Sequence, residues 1–109
     1  MTTPYLVLLT TCPNETTAQQ LAYSLLQNEL VACINLLPQT RSIFKWKGQI
    51  VEEQEILLLM KTRQECYTAI EAMLQTQHPY EVPELIALPI EQGLLDYLRW
   101  IDETVKKAS

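Results

Sequence analysis

A chain of 109 residues makes one domain, residues 1–109, and with 48% hydrophobic and 19% charged residues it is globular, not disordered. Its formal net charge of −5 comes without any basic stripe, which excludes nucleic-acid binding driven by phosphate charge. Gly48 and Gly93 are the only glycines, too few for a P-loop or a dinucleotide-binding turn, where backbone must approach phosphate closely.

The chain opens on "PYLVLLTTC", an apolar run rich in branched residues that reads as a buried strand. Pro13 stops it, and Asn14 is a good N-cap for a helix beginning there. Ala18, Leu21, Ala22, Leu25 and Leu26 then recur at helical spacing, giving one apolar helix face through about Asn28.

"LVACINLL" is the second strand, and Pro38 within its continuation predicts an edge strand or a bulge. Through "RSIFKWKG" the chain alternates. Ser42, Phe44 and Trp46 share one face, and Ile43, Lys45 and Lys47 share the other. Lys47-Gly48 reads as a hairpin tip. The return strand is "QIVEEQEILLLMK", polar at first and apolar from Ile56 to Met60.

Thr62 and Glu65 form a T-x-x-E capping box for a second helix, with Cys66, Ile70, Met73 and Leu74 inward. That helix ends near Gln77, because a residue close before proline resists helical geometry. "ELIALPI" is a fourth strand, and Pro89 places it at an edge. After Gly93 comes a third helix with Leu94, Leu98, Ile101 and Val105 inward.

The order β-α-β-β-α-β plus a terminal helix is the α+β, ferredoxin-like split arrangement. One feature exceeds what that fold needs. The second and third strands run from about Leu30 to Lys61, so at roughly 3.3 Å per residue each arm reaches about 45 Å. Such a hairpin projects beyond its own sheet and leaves Phe44 and Trp46 exposed in a lone chain. Unpaired edges invite another chain, so a closed oligomer built by strand addition is expected; the alternative is a hairpin bent over its own helices.

Cys12, Cys33 and Cys66 are odd in number and widely spaced, with no CxxC, so neither a disulfide framework nor a zinc ribbon is indicated. The apolar run Tyr5–Leu9 is too short for a signal segment or a membrane span. A cytoplasmic protein without membrane contact is expected. The loop "QTQHPYEVPE" concentrates His78, Pro79, Tyr80, Glu81, Pro83 and Glu84, a rigid and aromatic composition that a solvated linker does not need.

Four blocks carry a resemblance: "VACINLLPQTRSIFKWKGQI", "EEQEILLLMKT", "HPYEVPELIALPI" and "YLRW", with "TTCPNE" before the first helix. Together they cover nearly the whole chain and resemble the CutA family, the divalent-cation tolerance proteins. The resemblance implies a ferredoxin-like subunit in a homotrimer, its long strands joining a neighbour's sheet, with an architectural likeness to PII-type signalling proteins. It also implies a part in tolerance to copper and other divalent metals. Two positions depart from the family pattern: Gln39 stands where glycine is usual, and Lys47 stands at the tip where an acidic residue is common. A third, Thr10, is cysteine in some members, and Cys12 is read as facing the opposite side of that strand.

For a metal, His78, Cys33 and Glu81 are the candidates. Neutral imidazole and thiolate suit copper and zinc, and symmetry copies would complete the shell. The competing reading makes His78 a structural residue bonded to backbone across a subunit boundary, and Cys33 a small core hydrophobe. Cys66 reads as core. Lys61, ending an apolar strand, joins Arg41, Trp46, Tyr80 and Glu84 in an expected ligand cleft between subunits; the alternative for Lys61 is a structural salt bridge. No nucleophile–base pair is visible, so no enzyme is expected. Two functions stand: binding of divalent metal, copper above all, as cargo or cofactor, or a PII-like trimeric sensor of a small anionic metabolite that signals to a protein partner.

Overall fold

The computed structural model describes residues 3–105. Four strands and three helices are arranged in chain order as β1 (Tyr5–Cys12), α1 (Glu15–Gln27), β2 (Cys33–Trp46), β3 (Gln49–Arg63), α2 (Tyr67–Gln77), β4 (Ile86–Pro89) and α3 (Leu95–Thr104), with a 3-10 turn at Gln64–Cys66 before α2. The sheet order is β2-β3-β1-β4, every neighbour antiparallel, which is the ferredoxin-like arrangement expected from the element order.

Alternation decides the two faces of the sheet. Along β1, Leu6, Leu8, Thr10 and Cys12 are buried, while Tyr5, Val7, Leu9 and Thr11 are half-buried on the other side. Thr10 and Cys12 therefore share a face. Residues two apart return to the same side of a strand, which corrects the expectation that Cys12 faces away from Thr10. Along β3, Ile56, Leu58, Met60 and Thr62 point inward. The core joins these to Ala18, Leu21 and Leu25 of α1 and Ile70 and Leu74 of α2.

Helix ends obey local chemistry in one case and long-range contacts in another. Asn14 Oδ1 accepts from the Thr17 amide at 2.8 Å, the expected N-cap. Thr62 is not a cap. It lies within β3, and its buried hydroxyl donates to the Leu30 carbonyl at 2.6 Å. Glu65 pairs instead with Arg63 at 2.8 Å. Two apolar positions also depart from the periodicity. Leu26 is exposed, and Leu94 is 76% exposed because it precedes the first turn of α3 as its N-cap. Met73 is half-buried, beside Ser24 of α1.

The hairpin is long, as expected. β2 and β3 span 14 and 15 residues, and the longest dimension of the molecule is 43 Å. Pro38 marks both things it predicts: β2 is an edge, and the register shifts between Leu37 and Thr40. At the tip, Trp46 pairs with Gln49 around Lys47 and Gly48, whose φ values of 51° and 79° are those of a two-residue I′ hairpin turn. Phe44 and Trp46 are exposed in the single chain.

Candidate functional site

The loop between α2 and β4 folds back against the end of β1. His78 is buried there. Its Nδ1 accepts from the Tyr80 amide at 3.1 Å, which leaves the proton on Nε2 to donate to the Thr11 carbonyl at 2.7 Å. The Cys12 sulfur lies 3.9 Å from Nε2. Both ring nitrogens are thus engaged with backbone of the same chain, and the imidazole fixes the position of Tyr80, whose ring lies 4.8 Å away.

Tyr80 reaches past the end of β1 to the hairpin. Its hydroxyl donates to Glu55 Oε2 at 2.5 Å, and Glu55 is only 5% exposed. Burial, then the Glu55 carboxylate, raises the Tyr80 hydroxyl, which stays protonated and serves as donor. Glu84 is exposed, and partial desolvation at the cleft first, with Glu55 second, raises its carboxyl. The Cys12 thiol is pushed up to about 11, by burial and then by Glu55.

Between this loop and the hairpin lies a cleft of about 720 Å³. Ser42, Phe44, Trp46 and Val51 form one side, and Tyr80, Glu81, Val82 and Glu84 form the other, with Glu53 and Glu55 between them. Four carboxylates and three aromatic rings line it, and among the described residues no basic side chain does. Its volume falls in the range of small-molecule sites.

Of the expected cleft residues, Trp46, Tyr80 and Glu84 come together. Arg41 lies on the alternate side of β2 and pairs with Glu52 at 2.7 Å. Lys61 sits farther along β3, six residues from Glu55 or about 20 Å at strand rise, and donates to Asn35 Oδ1. Of the expected metal residues, only Glu81 lines the cleft. Cys33 pairs with Lys61 across β2 and β3, and Lys61 pairs with Val7, so the thiol is two strands from β1 and offset from Thr11 by four residues, about 13 Å along the strand direction alone. Among the described residues, no three His, Cys, Asp or Glu side chains gather as a metal-holding group. No helix of these residues is long and apolar enough to cross a membrane.

Glu53 and Glu55 do not stand out in the sequence, because "EEQE" reads as a solvated stretch. The signal is nevertheless present. Period two carries the face of Leu57 and Leu59 back through Glu55, Glu53 and Val51, so two carboxylates must continue a half-buried apolar face.

Comparison with known proteins agrees with this architecture. The family described as CutA1 divalent ion tolerance protein matches residues 6–104. The human Protein CutA is 43% identical over 99 residues, which are 91% of this chain and 55% of that protein. The Divalent-cation tolerance protein CutA of Thermus thermophilus is 42% identical over 97 residues, covering 89% of this chain and 94% of its relative. The chain thus spans about half the length of the human relative and nearly all of the bacterial one. The crystal structure of CutA1 from Oryza sativa has a TM-score of 0.94 at 36% identity, with 98% of each chain covered.

Proposed function

The chain belongs to the CutA1 divalent ion tolerance family, and from that premise we propose that it binds divalent cations, copper foremost, as a homotrimer with its acidic clefts near the subunit boundaries. The observation that carries this reading is the lining of the cleft: Glu53, Glu55, Glu81 and Glu84, with no basic side chain among the described residues. Carboxylates converging on a partly desolvated space attract cations and raise their local concentration. Copper(II) stands highest among the divalent ions for a given oxygen or nitrogen donor set.

The donors of one chain do not close a shell. His78 would have to release the Thr11 carbonyl to ligate through Nε2, and Cys33 is offset by about 13 Å along the strand direction alone. The metal in this reading is cargo held by carboxylates and water, with neighbouring copies completing the donors. Support for assembly is the outer sheet face, where Ile86 and Leu88 are about half exposed beside half-buried Val7, Leu9, Leu57 and Leu59. The competing function, a PII-like sensor of a small anionic metabolite, needs basic groups in the cleft. Within one chain Arg41 and Lys61 stand outside it.

Calorimetric titration of copper(II) at about pH 7.5, with light scattering for mass, tests both parts. Glu53→Gln with Glu84→Gln is expected to weaken binding about tenfold or more, or about 1.4 kcal/mol. Equal affinity removes the carboxylate reading, and a wild-type mass of one chain removes the assembly.

A further inference from the structure

We infer that the cleft is a composite site, completed by Lys61 of a second copy of this chain, whose ammonium answers the buried carboxylate of Glu55 and leaves Glu53, Glu81 and Glu84 to the cation. The inference rests on the assembly reading above.

Glu55 is nearly inaccessible, yet among the described residues no ion pair reaches it. Its one hydrogen bond comes from the neutral Tyr80 hydroxyl to Oε2, leaving Oε1 for a second donor. A buried carboxylate without a counter-charge is costly, so natural structures pair it. Lys61 presents the complementary case. It is half-buried on the same face of β3, and its hydrogen bond goes to the neutral amide of Asn35.

The two charges cannot meet within one chain, being about 20 Å apart along a single strand. Between them runs the apolar belt of Leu57 and Leu59 on β3, flanked by Val7, Leu9, Ile86 and Leu88. A surface with an apolar middle, an unanswered cation at one end and an unanswered carboxylate at the other is complementary to a second copy of itself. Bringing the cationic end of one copy to the acidic end of the next buries the belt and pairs both charges.

The other cations fit less well. Arg41 is already paired with Glu52, and Arg63 with Glu65 and Asp102. Lys45, Lys47 and Arg99 are exposed, the first two at the hairpin tip and the third on α3. Lys61 alone among the described lysines and arginines is half-buried without an ion pair.

The test is a double-mutant cycle on subunit association, read by sedimentation across a dilution series in urea sufficient to make wild type dissociate measurably. Lys61→Met and Glu55→Gln are each expected to weaken association about tenfold or more, and the double variant no further than the weaker single. Lys61→Arg, which keeps the charge, is expected to retain wild-type association even if Glu55→Gln folds poorly. Multiplying single effects, or Lys61→Met at the wild-type value, overturns the inference while the assembly stands. A wild-type mass of one chain in buffer overturns the assembly itself.

Discussion

The Tyr80 hydroxyl and Glu55 Oε2, 25 residues apart in the chain, meet at 2.5 Å and tie the α2–β4 loop to the hairpin. The bond places the loop residues Glu81 and Glu84 on one side of the cleft, with Glu53 and Glu55 between them and Phe44 and Trp46. The His78 ring supports it from behind by accepting the Tyr80 amide.

Removing the donor leaves a buried acceptor without its partner. Tyr80→Phe is expected to lower stability by about 1–3 kcal/mol, the cost of an unsatisfied buried polar group. Urea unfolding of the variant beside wild type measures it. Tyr80→Phe combined with Glu55→Gln is expected to lose less than the two single changes together, because the charge to be satisfied has gone. A Tyr80→Phe midpoint equal to wild type would show that Glu55 is satisfied without the tyrosine.

Glu84 sets a pH dependence. Partial desolvation and then Glu55 raise its carboxyl, so between the ordinary carboxylate range and the raised value the folded chain holds more protons than the unfolded one. Stability from this group therefore falls as pH rises through that window, and the penalty is complete above it. Glu84→Gln is expected to be more stable than wild type near neutrality and equal to it below about pH 4, where both states are protonated. Unfolding midpoints from about pH 3 to pH 8 read the difference. A constant offset across that range would assign the effect to packing.

The thiols should divide by access. Cys12 is buried with its thiol pushed up to about 11, and Cys66 is buried, whereas Cys33 is half-buried at the start of β2. The thiolate is the reactive form, so at about pH 8 a soluble disulfide reagent is expected to leave Cys12 unmodified in the folded protein. Mass spectrometry after denaturation locates the label. Rapid modification of Cys12 under native conditions would mean that the His78 loop opens readily.

Patterns whose partners are close in sequence are readable, and those completed at long range are not. Asn14 caps α1 through an amide three residues on, and Pro38 announces its own bulge. T-x-x-E at Thr62 has the spacing of a capping box, but its threonine answers a carbonyl 32 residues away. Leu94 continues an apolar period by number while standing outside the helix that would turn it inward. At the cleft, Trp46, Tyr80 and Glu84 stand out by residue type. Glu53 and Glu55 do not, because only the fold brings Tyr80 over Glu55 and buries that one residue of a polar stretch whose other members stay exposed.

Gln39 holds a backbone conformation suited to glycine. Its φ is 59°, in the bulge after Pro38 where the register shifts and the Thr40 hydroxyl spans back to the Leu37 carbonyl at 3.2 Å. A side chain in the left-handed region costs about 1–2 kcal/mol, and the preference for glycine at such bulges arises from that cost. Gln39→Gly removes the strain but gives the unfolded chain more freedom, which costs about 0.5–1 kcal/mol. The expected net gain is about 0.5–1 kcal/mol, seen as a higher urea midpoint with an unchanged slope. Gln39→Ala keeps the strain without the glutamine side chain, so it is expected at or below wild type. The Gly-minus-Ala difference therefore reports the backbone alone. A glycine variant no more stable than the alanine one would mean that the bulge relaxes freely around any side chain.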